Sequence, residues 1–196
     1  MNRKKAEEHL TGFLTEGLGL DLSDSNLRDT PKRVAKMYCE ELLCNISKKD
    51  GDLDVVSFPN ELKYDQIIML DRIFFTSVCA HHLLPFSGRA WVLYIPFKQL
   101  LGASKATRII EHFAARPQLQ ENLCQGVLNF LVKSVSPKGA MIVMRGEHGC
   151  MKCRGVRQYG GAGMTTSAVH GAFKRNLSTR EEGLSLIHLS LLDSRI

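Results

Sequence analysis

The stretch IIMLDRIFFTSVCAHHLLPFSGRAWVLYIPF, residues 67–97, holds two runs rich in β-branched and aromatic residues on either side of a proline-containing turn. Residues 67–80 and 89–97 are predicted to be strands, joined across HHLLPFSG at residues 81–88. A connection this short suits antiparallel neighbours. The stretch therefore predicts an antiparallel strand pair.

The segment that follows is predicted to complete a mixed domain. Residues 105–135 have the apolar spacing of a buried helical face, and Pro117 divides them into two consecutive helices. Residues 138–158 are predicted to form a strand pair around a tight turn, and AVHGAF, residues 168–173, starts a final stretch. Strands, then two helices, then strands is the order of an α+β domain with both helices on one face of an antiparallel sheet.

The N-terminal part of the chain is predicted to be a helical hairpin. Residues 2–19 have the apolar spacing of an amphipathic helix, and DTP at residues 29–31 starts a second helix, with its aspartate or threonine as N-cap and its proline in the first turn. Glycine and aspartate at 51–54 mark a break. The sequence thus predicts a hairpin over residues 1–50 and a main domain over residues 51–196.

The composition excludes several classes of protein. With 196 residues, 44% of them hydrophobic, the chain can bury one sizeable core. No apolar signal core follows Met1, so we expect a cytoplasmic protein with no membrane partner. The net charge of +6 suggests an anionic partner. Lysine and arginine stand singly and not in blocks, which argues against a nucleic-acid partner and leaves a phosphate pocket open.

Cysteine and histidine residues gather at two predicted strand ends. Cys79 and His82 stand three positions apart, and EHGCMKC at residues 147–153 brings a second group. Thiolate plus imidazole is a ligand set that suits zinc. The site is either a closed structural one that adds Cys150 and Cys153, or an open one in which three residues hold the metal and water takes the fourth place.

Strand geometry favours the open site. If residues 148–154 are extended, Cys150 and Cys153 point to opposite faces. Cys79, His82 and Cys150 are therefore the preferred ligands.

Two histidines remain beside these ligands. His81 and His148 are free to move protons near neutral pH. Neighbouring histidines at a strand end are often only surface residues. The presence of Cys150 further along the chain argues against that interpretation here. A nucleophilic pair, with Cys79 as thiolate and His81 or His82 as base, lacks a third orienting group and ranks below zinc.

Basic residues accompany both groups. On an extended segment, Lys152 and Arg154 share the face of the cysteine ligand, and the helix start ASKATR brings together Ser104, Lys105 and Arg108. Free backbone N–H groups and cations at a helix start make an anion site. Any one of these cations alone is better explained as a surface charge, but together they predict a phosphate-bearing substrate near a metal.

Four segments together resemble the signature of the GTP cyclohydrolase I family. They are DTPKRVAKMY at 29–38, CAHHLLPFSGRAWVLYIP at 79–96, GASKATRIIEHFAARPQLQENL at 102–123 and EHGCMKCRGVRQ at 147–158, in the family's order and close to its spacings. The resemblance implies the tunnelling fold, in which the sheet joins those of other subunits into a barrel, usually within a homodecamer. It also implies zinc-dependent conversion of GTP to 7,8-dihydroneopterin 3'-triphosphate with release of formate.

The resemblance assigns the metal and proton-transfer residues. Cys79, His82 and Cys150 match the zinc ligands, one ion per subunit. His148 matches the histidine that protonates the purine ring, and His81 matches the one near the ribose and the opened ring.

The resemblance also assigns substrate contacts. Glu121 matches the carboxylate that reads the guanine edge, and Gln120 beside it is assigned to substrate binding as well. A buried carboxylate facing two N–H donors prefers guanine over adenine. Further matches carry positive charge or a hydroxyl toward the triphosphate or ribose: Ser104, Lys105, Arg108 and Arg154, with Arg33 and Lys36 from a neighbouring subunit.

Three positions depart from the family pattern. Ala80 replaces the glutamate of CEHH, Ala103 replaces a leucine, and the loop at residues 159–164 is richer in glycine. They keep two alternatives open: a catalytically weakened paralogue that serves as a regulatory or assembly subunit, and a tunnelling-fold enzyme acting on another purine or pterin. The intact ligands and both histidines favour the cyclohydrolase.

Overall fold

The computed structural model describes residues 1–158 and 161–192, and it forms two compact units, Met1–Lys48 and Lys49–Ile196. The glycine-rich loop singled out from the sequence lies partly outside the described residues.

The first unit consists of two paired helices. They are α1 (Arg3–Gly12) and α2 (Thr30–Lys36), continued by π-helical segments at Phe13–Gly17 and Met37–Leu42. The Asn2 side chain caps α1 by accepting a hydrogen bond from the backbone N–H of Lys5. An ion pair between Arg3 and Glu40 links the two helical segments. The two predicted helices are therefore present, and the first of them is α-helical only as far as Gly12.

The second unit contains a five-stranded sheet in the order β5-β2-β3-β6-β7. Its strands are β2 (Ile68–Cys79), β3 (Pro85–Ile95), β5 (Pro117–Gln118), β6 (Gly139–His148) and β7 (Met164–Gly171). Every pair is antiparallel except β2 with the short β5. Strands β1 (Ser57–Pro59) and β4 (Gln99–Leu101) form a separate antiparallel pair.

Helices cover both faces of this sheet. They are α3 (Ala103–Ala114), α4 (Gln120–Val135), α5 (Gly149–Lys152), α6 (Ala172–Arg175) and α7 (Leu177–Leu192). The main core lies between the sheet and the pair α3 and α4, where apolar residues alternate along each strand and repeat along each helix. The predicted α+β architecture, with two consecutive helices on one face of an antiparallel sheet, is confirmed.

A second cluster lies on the opposite face of the sheet. Its buried members come from β3, β6, α6 and α7: Trp91, Leu93, Met141, Val143, Phe173 and Ile187. The indole Nε1–H of Trp91 donates to Ser190 Oγ at 3.1 Å, which ties α7 to the sheet. The sequence interpretation left this helix undefined.

One strand prediction is wrong. Residues 138–158 do not form a strand pair, because β6 ends at His148 and α5 begins at Gly149. The partner of β6 is β7, whose β-branched MTTSAV run begins only at Met164. The Gly, Lys and Arg residues between them have little preference for a strand, so the chain turns away from the sheet before it returns.

A close approach of β3 and β6 fixes the register at the end of the sheet that carries the site. A Cβ at Gly88 would lie 2.7 Å from the Cα of Gly146 and even closer to the carbonyl of Arg145, so only glycine fits. This register sets Phe86 opposite His148.

Among the residues that the structure describes, no helix has both the length and the apolar character needed to cross a membrane.

Candidate metal centre and active site

Three predicted ligands meet where two strands end. Cys79 is the last residue of β2, His82 lies in the turn that follows, and Cys150 lies in α5, just beyond the end of β6. One donor atom from each lies within 4.8 Å of the others, and the two sulfur atoms are 3.9 Å apart. Two sulfurs and one imidazole nitrogen at this separation fit the donor preferences and the size of a zinc ion.

Local hydrogen bonds hold the turn that carries these ligands. The N–H of Cys79 donates to the carbonyl of Leu84, and the N–H of Leu83 donates to the carbonyl of Cys79, both at 2.9 Å. Leu83 has a φ of +54°, a conformation that leucine rarely adopts. Backbone strain of this kind is found where the surrounding structure fixes a functional turn.

Burial favours the protonated form of one of the thiols, that of Cys150. The pKa of Cys150 is raised by burial, and also by the hydrogen bond that its thiol donates to Cys79. A thiol must lose its proton to bind a metal ion. A metal ion bound by this group would therefore replace the thiol protons.

Cys153 does not take part in this group. Its side chain is exposed, and its sulfur donates to the carbonyl of Gly149 at 2.9 Å. Residues 149–152 are helical, so the extended conformation assumed for residues 148–154 is wrong. The structure nevertheless brings together the three residues that were preferred, because the α5 turn directs the two cysteines to different neighbours.

His148 is buried and lies two residues before the candidate ligand Cys150. Its ring stacks on Phe86, with centroids 4.4 Å apart and planes 2° apart. Its Nε2 lies 3.0 Å from Oε1 of Gln120. Burial lowers the pKa of His148, and the negative charge of Glu121 opposes that shift without cancelling it. The imidazole is therefore neutral at pH 7.

The comparisons with known proteins agree over nearly the whole chain. Residues 6–188 match the sequence model of the family GTP cyclohydrolase I. The chain belongs to the GTP cyclohydrolase I family. It is 41% identical over 188 residues to the GTP cyclohydrolase 1 of Sulfurihydrogenibium sp. strain YO3AOP1, a match that covers 96% of each chain.

Other relatives and one solved structure add to this comparison. The GTP cyclohydrolase 1 of Aquifex aeolicus is 38% identical over 95% of this chain and 97% of its own length, and that of Aliivibrio fischeri strain MJ11 is 40% identical over 93% and 83%. The crystal structure of the apo archaeosine synthase QueF-Like superposes on 54% of this chain and 94% of its own, with a TM-score of 0.45 and 20% identity.

Cys79, His82 and Cys150 are called the metal group below. Residues at the start of α4 lie at the same end of the sheet as this group. Glu121 lies in the first turn of α4 and is exposed to solvent in this single chain. The resemblance to the family had implied a buried carboxylate. Its charge acts on His148, which places it beside the site. Gln120 is fully buried, and its side chain bonds to the protein.

His81 and Arg154 also lie at the end of the sheet where Cys79, His82 and Cys150 meet. His81 is exposed, and its ring meets that of His82 edge to face at 6.2 Å. Arg154 is exposed and close enough for its charge to act on Cys150. Lys152, in contrast, is paired with Glu147.

The cations at the start of α3 lie at the other end of the sheet. Helix α3 ends beside the metal end, where the carbonyl of Ala114 accepts a hydrogen bond from the hydroxyl of Ser77 at 2.7 Å. Ser104 and Lys105 lie in the first turn of α3, and Arg108 lies in the second. At a rise of about 1.5 Å per residue, Ser104 and Lys105 lie about 14 to 15 Å from Ala114 along the helix axis, and Arg108 lies about 9 Å from it. Helix α3 therefore ends beside the Cys79, His82 and Cys150 group and begins away from it, with Ser104 and Lys105 at its far end.

The remaining predicted cations lie in the first unit. Arg33 and Lys36 are on α2, and Arg33 forms an exposed ion pair with Asp29 at 3.6 Å. Two residues of the site were missed from the sequence: Phe86, on which His148 stacks, and Gly146, which adjoins Gln120. The strand alternation of β3 and β6 places both on the face of the metal group and was the available signal.

Proposed function

We propose that this chain, whose relatives are named GTP cyclohydrolase 1, converts GTP to 7,8-dihydroneopterin 3'-triphosphate and formate. The observation that carries the proposal is the group of two thiols and one imidazole beside a neutral, buried His148. A hydrolytic opening of a purine ring needs an activated water and a group that exchanges a proton with a ring nitrogen. The chain offers residues suited to both roles.

Zinc is the proposed cofactor, one ion per subunit, held by Cys79, His82 and Cys150. These three residues would hold the ion, which would supply a water activated near neutral pH. The donor set carries the proposal for zinc, because thiolates select against magnesium and calcium.

The proton chemistry is proposed for the two histidines. His148 exchanges a proton with the purine ring, because its ring is neutral, ordered by stacking and next to the ligands. His81, exposed beside the ligand His82, is proposed to act near the ribose and the opened ring.

Guanine recognition is proposed for Glu121. Its carboxylate can accept hydrogen bonds from N1–H and from the exocyclic amino group of guanine, whereas adenine has no N–H at position 1. Charged hydrogen bonds of this kind discriminate strongly once they are shielded from water. A neighbouring subunit that covers Glu121 would supply that shielding.

Triphosphate binding is proposed to need more than one subunit. Ser104 and Lys105 lie in the first turn of a helix whose last residue lies beside the site, about 14 to 15 Å from that end along the axis, and Arg108 lies about 9 Å from it. The same three residues of a neighbouring copy, together with Arg154, can surround a triphosphate if the sheets of several subunits join. Arg33 and Lys36 are proposed to add charge from another copy. We therefore propose a homo-oligomer, a decamer in line with the family, in the cytoplasm.

Ala80 supports a second candidate, in which the chain is a weakened paralogue kept as a regulatory or assembly subunit. A carboxylate beside a metal ligand usually orients that ligand or a water. Ala80 is exposed, and its backbone N–H donates to the carbonyl of Gln118 at 3.2 Å. Nothing in its side chain replaces a carboxylate.

The direct test is incubation of the full-length, zinc-loaded protein with GTP, followed by mass spectrometry of the product and assay of formate. We expect equal amounts of formate and dihydroneopterin triphosphate, and neither product from ATP. Formate without a pterin would indicate an enzyme that stops at ring opening. Intact GTP, from protein that binds both zinc and GTP, would favour the regulatory paralogue.

A further inference from the structure

Gln120 has an amide whose orientation is determined by its neighbours. The residue is 1% exposed. Its Nε2 lies 3.1 Å from the carbonyl of Met144, 3.0 Å from the carbonyl of Met164 and 3.1 Å from Oγ1 of Thr166. Carbonyl oxygens only accept hydrogen bonds, so the amino group must face them. The amide oxygen of Gln120 then faces His148.

This orientation also determines which nitrogen of His148 carries a proton. Oε1 of Gln120 lies 3.0 Å from Nε2 of His148 and can only accept. Nε2 must therefore be the N–H donor, and in the neutral ring Nδ1 keeps its lone pair. Stacking on Phe86 fixes the plane of the same ring. The hydrogen bond and the stacking together define both the tautomer and the orientation of the imidazole.

A glycine provides the space for this arrangement. A Cβ at Gly146 would lie 2.6 Å from Oε1 of Gln120 and 3.4 Å from Cζ of Phe75. Contacts between a Cβ and an oxygen are not found at 2.6 Å, so any other residue at position 146 would displace the amide oxygen. The amide cannot yield freely, because the two N–H donors of its amino group already face three acceptors of the protein.

We propose that Gln120 is a positioning residue, not a substrate contact: it holds His148 with a proton on Nε2 and leaves Nδ1 to exchange a proton with the substrate, in space that Gly146 provides. The inference rests on the proposed function, because the reaction gives His148 its proton-transfer role. In that step Nδ1 of the neutral imidazole accepts a proton from the attacking water and passes it to a purine nitrogen, so that the Nε2–H imidazole bonded to Gln120 is regenerated.

The first test reads the tautomer without any reaction. We would label the full-length, zinc-loaded protein with 15N-histidine and record solid-state NMR spectra at pH 8.5, with His148 assigned by its loss in His148→Ala. The expected spectrum has a protonated Nε2 and an unprotonated Nδ1. Gly146→Ala is expected to give a mixture of both tautomers. A proton on Nδ1 in the unmodified protein would overturn the proposal.

The second test separates positioning from substrate binding. Gly146→Ala keeps Gln120 and is expected to lower kcat for GTP by about 10- to 100-fold, because general acid–base catalysis contributes about 10²- to 10⁴-fold and only part of it is lost. KM is expected to change by less than about threefold. The matched control is Gly51→Ala, whose new Cβ meets nothing within 4 Å, and both constants should stay unchanged.

A second variant and the separate readouts keep the inference testable on its own. Gln120→Met removes the amide at similar length and, where it folds, is expected to give the same mixed tautomer spectrum. A large rise in KM with unchanged kcat in either variant would mean that Gln120 contacts the substrate. If the unmodified protein releases no formate from GTP, the proposed function fails, while the NMR result still decides how Gln120 acts on His148.

Discussion

The affinity of the metal group for zinc is expected to depend steeply on pH. The Cys79 and Cys150 sulfurs are 3.9 Å apart, and burial together with their hydrogen bond raises the pKa of Cys150. A thiol with its proton cannot bind zinc, so each cysteine ligand releases one proton. Each released proton makes the affinity rise about tenfold per pH unit, and two give about 100-fold between about pH 7 and 8. A fall in pH therefore releases the metal.

Competition with a chromophoric chelator at several pH values measures this slope on the full-length protein. Cys150→Ser is expected to reduce it to about tenfold per unit, because one thiol remains. Cys153→Ser is the matched control and should keep about 100-fold, since the exposed Cys153 thiol bonds to Gly149 and lies outside the group. A slope of tenfold or less in the unmodified protein, or a change of slope in Cys153→Ser, would refute the assigned ligand set.

Three other substitutions test separate parts of the account. Ala80→Glu is expected to raise the rate of formate release by less than about tenfold, and a larger gain would show that the natural site is impaired. Glu121→Gln should lower kcat/KM for GTP by about 10- to 100-fold through loss of a charged acceptor, and an unchanged value would exclude guanine recognition by Glu121. Burial raises the pKa of Cys124 to about 11, so between about pH 9 and 11 the unfolded state loses this proton first and stability falls as pH rises. Urea unfolding should show that the free energy of unfolding falls by at most about 2 to 3 kcal/mol over this range in the unmodified protein and not in Cys124→Ala. Parallel pH profiles of the two proteins would contradict this prediction.

The sequence was informative wherever a pattern is local. Alternation and β-branched content predicted β2 and β3, Pro117 divided the helices, and spacing singled out Cys79 and His82. These features depend on neighbours along the chain. Their positions therefore follow from the sequence without knowledge of tertiary contacts.

The missed features depend on contacts between distant residues. Cys150 reaches the other ligands because α5 turns away from the sheet after β6, and the extended segment assumed from the sequence does not occur. Gly146 matters only because Gln120, which is 26 positions earlier, packs against it. The distance between the start of α3 and the metal group likewise follows from the direction of the helix in the folded chain, which motif spacing does not contain.

The most direct test of the account compares two cysteine variants for formate and pterin formation from GTP. The account predicts that zinc-loaded Cys153→Ser produces both at the rate of the unmodified protein and that Cys150→Ser produces neither, because only Cys150 belongs to the metal group. Product formation by Cys150→Ser at an undiminished rate would contradict the central claim that hydrolysis depends on the site formed by Cys79, His82 and Cys150.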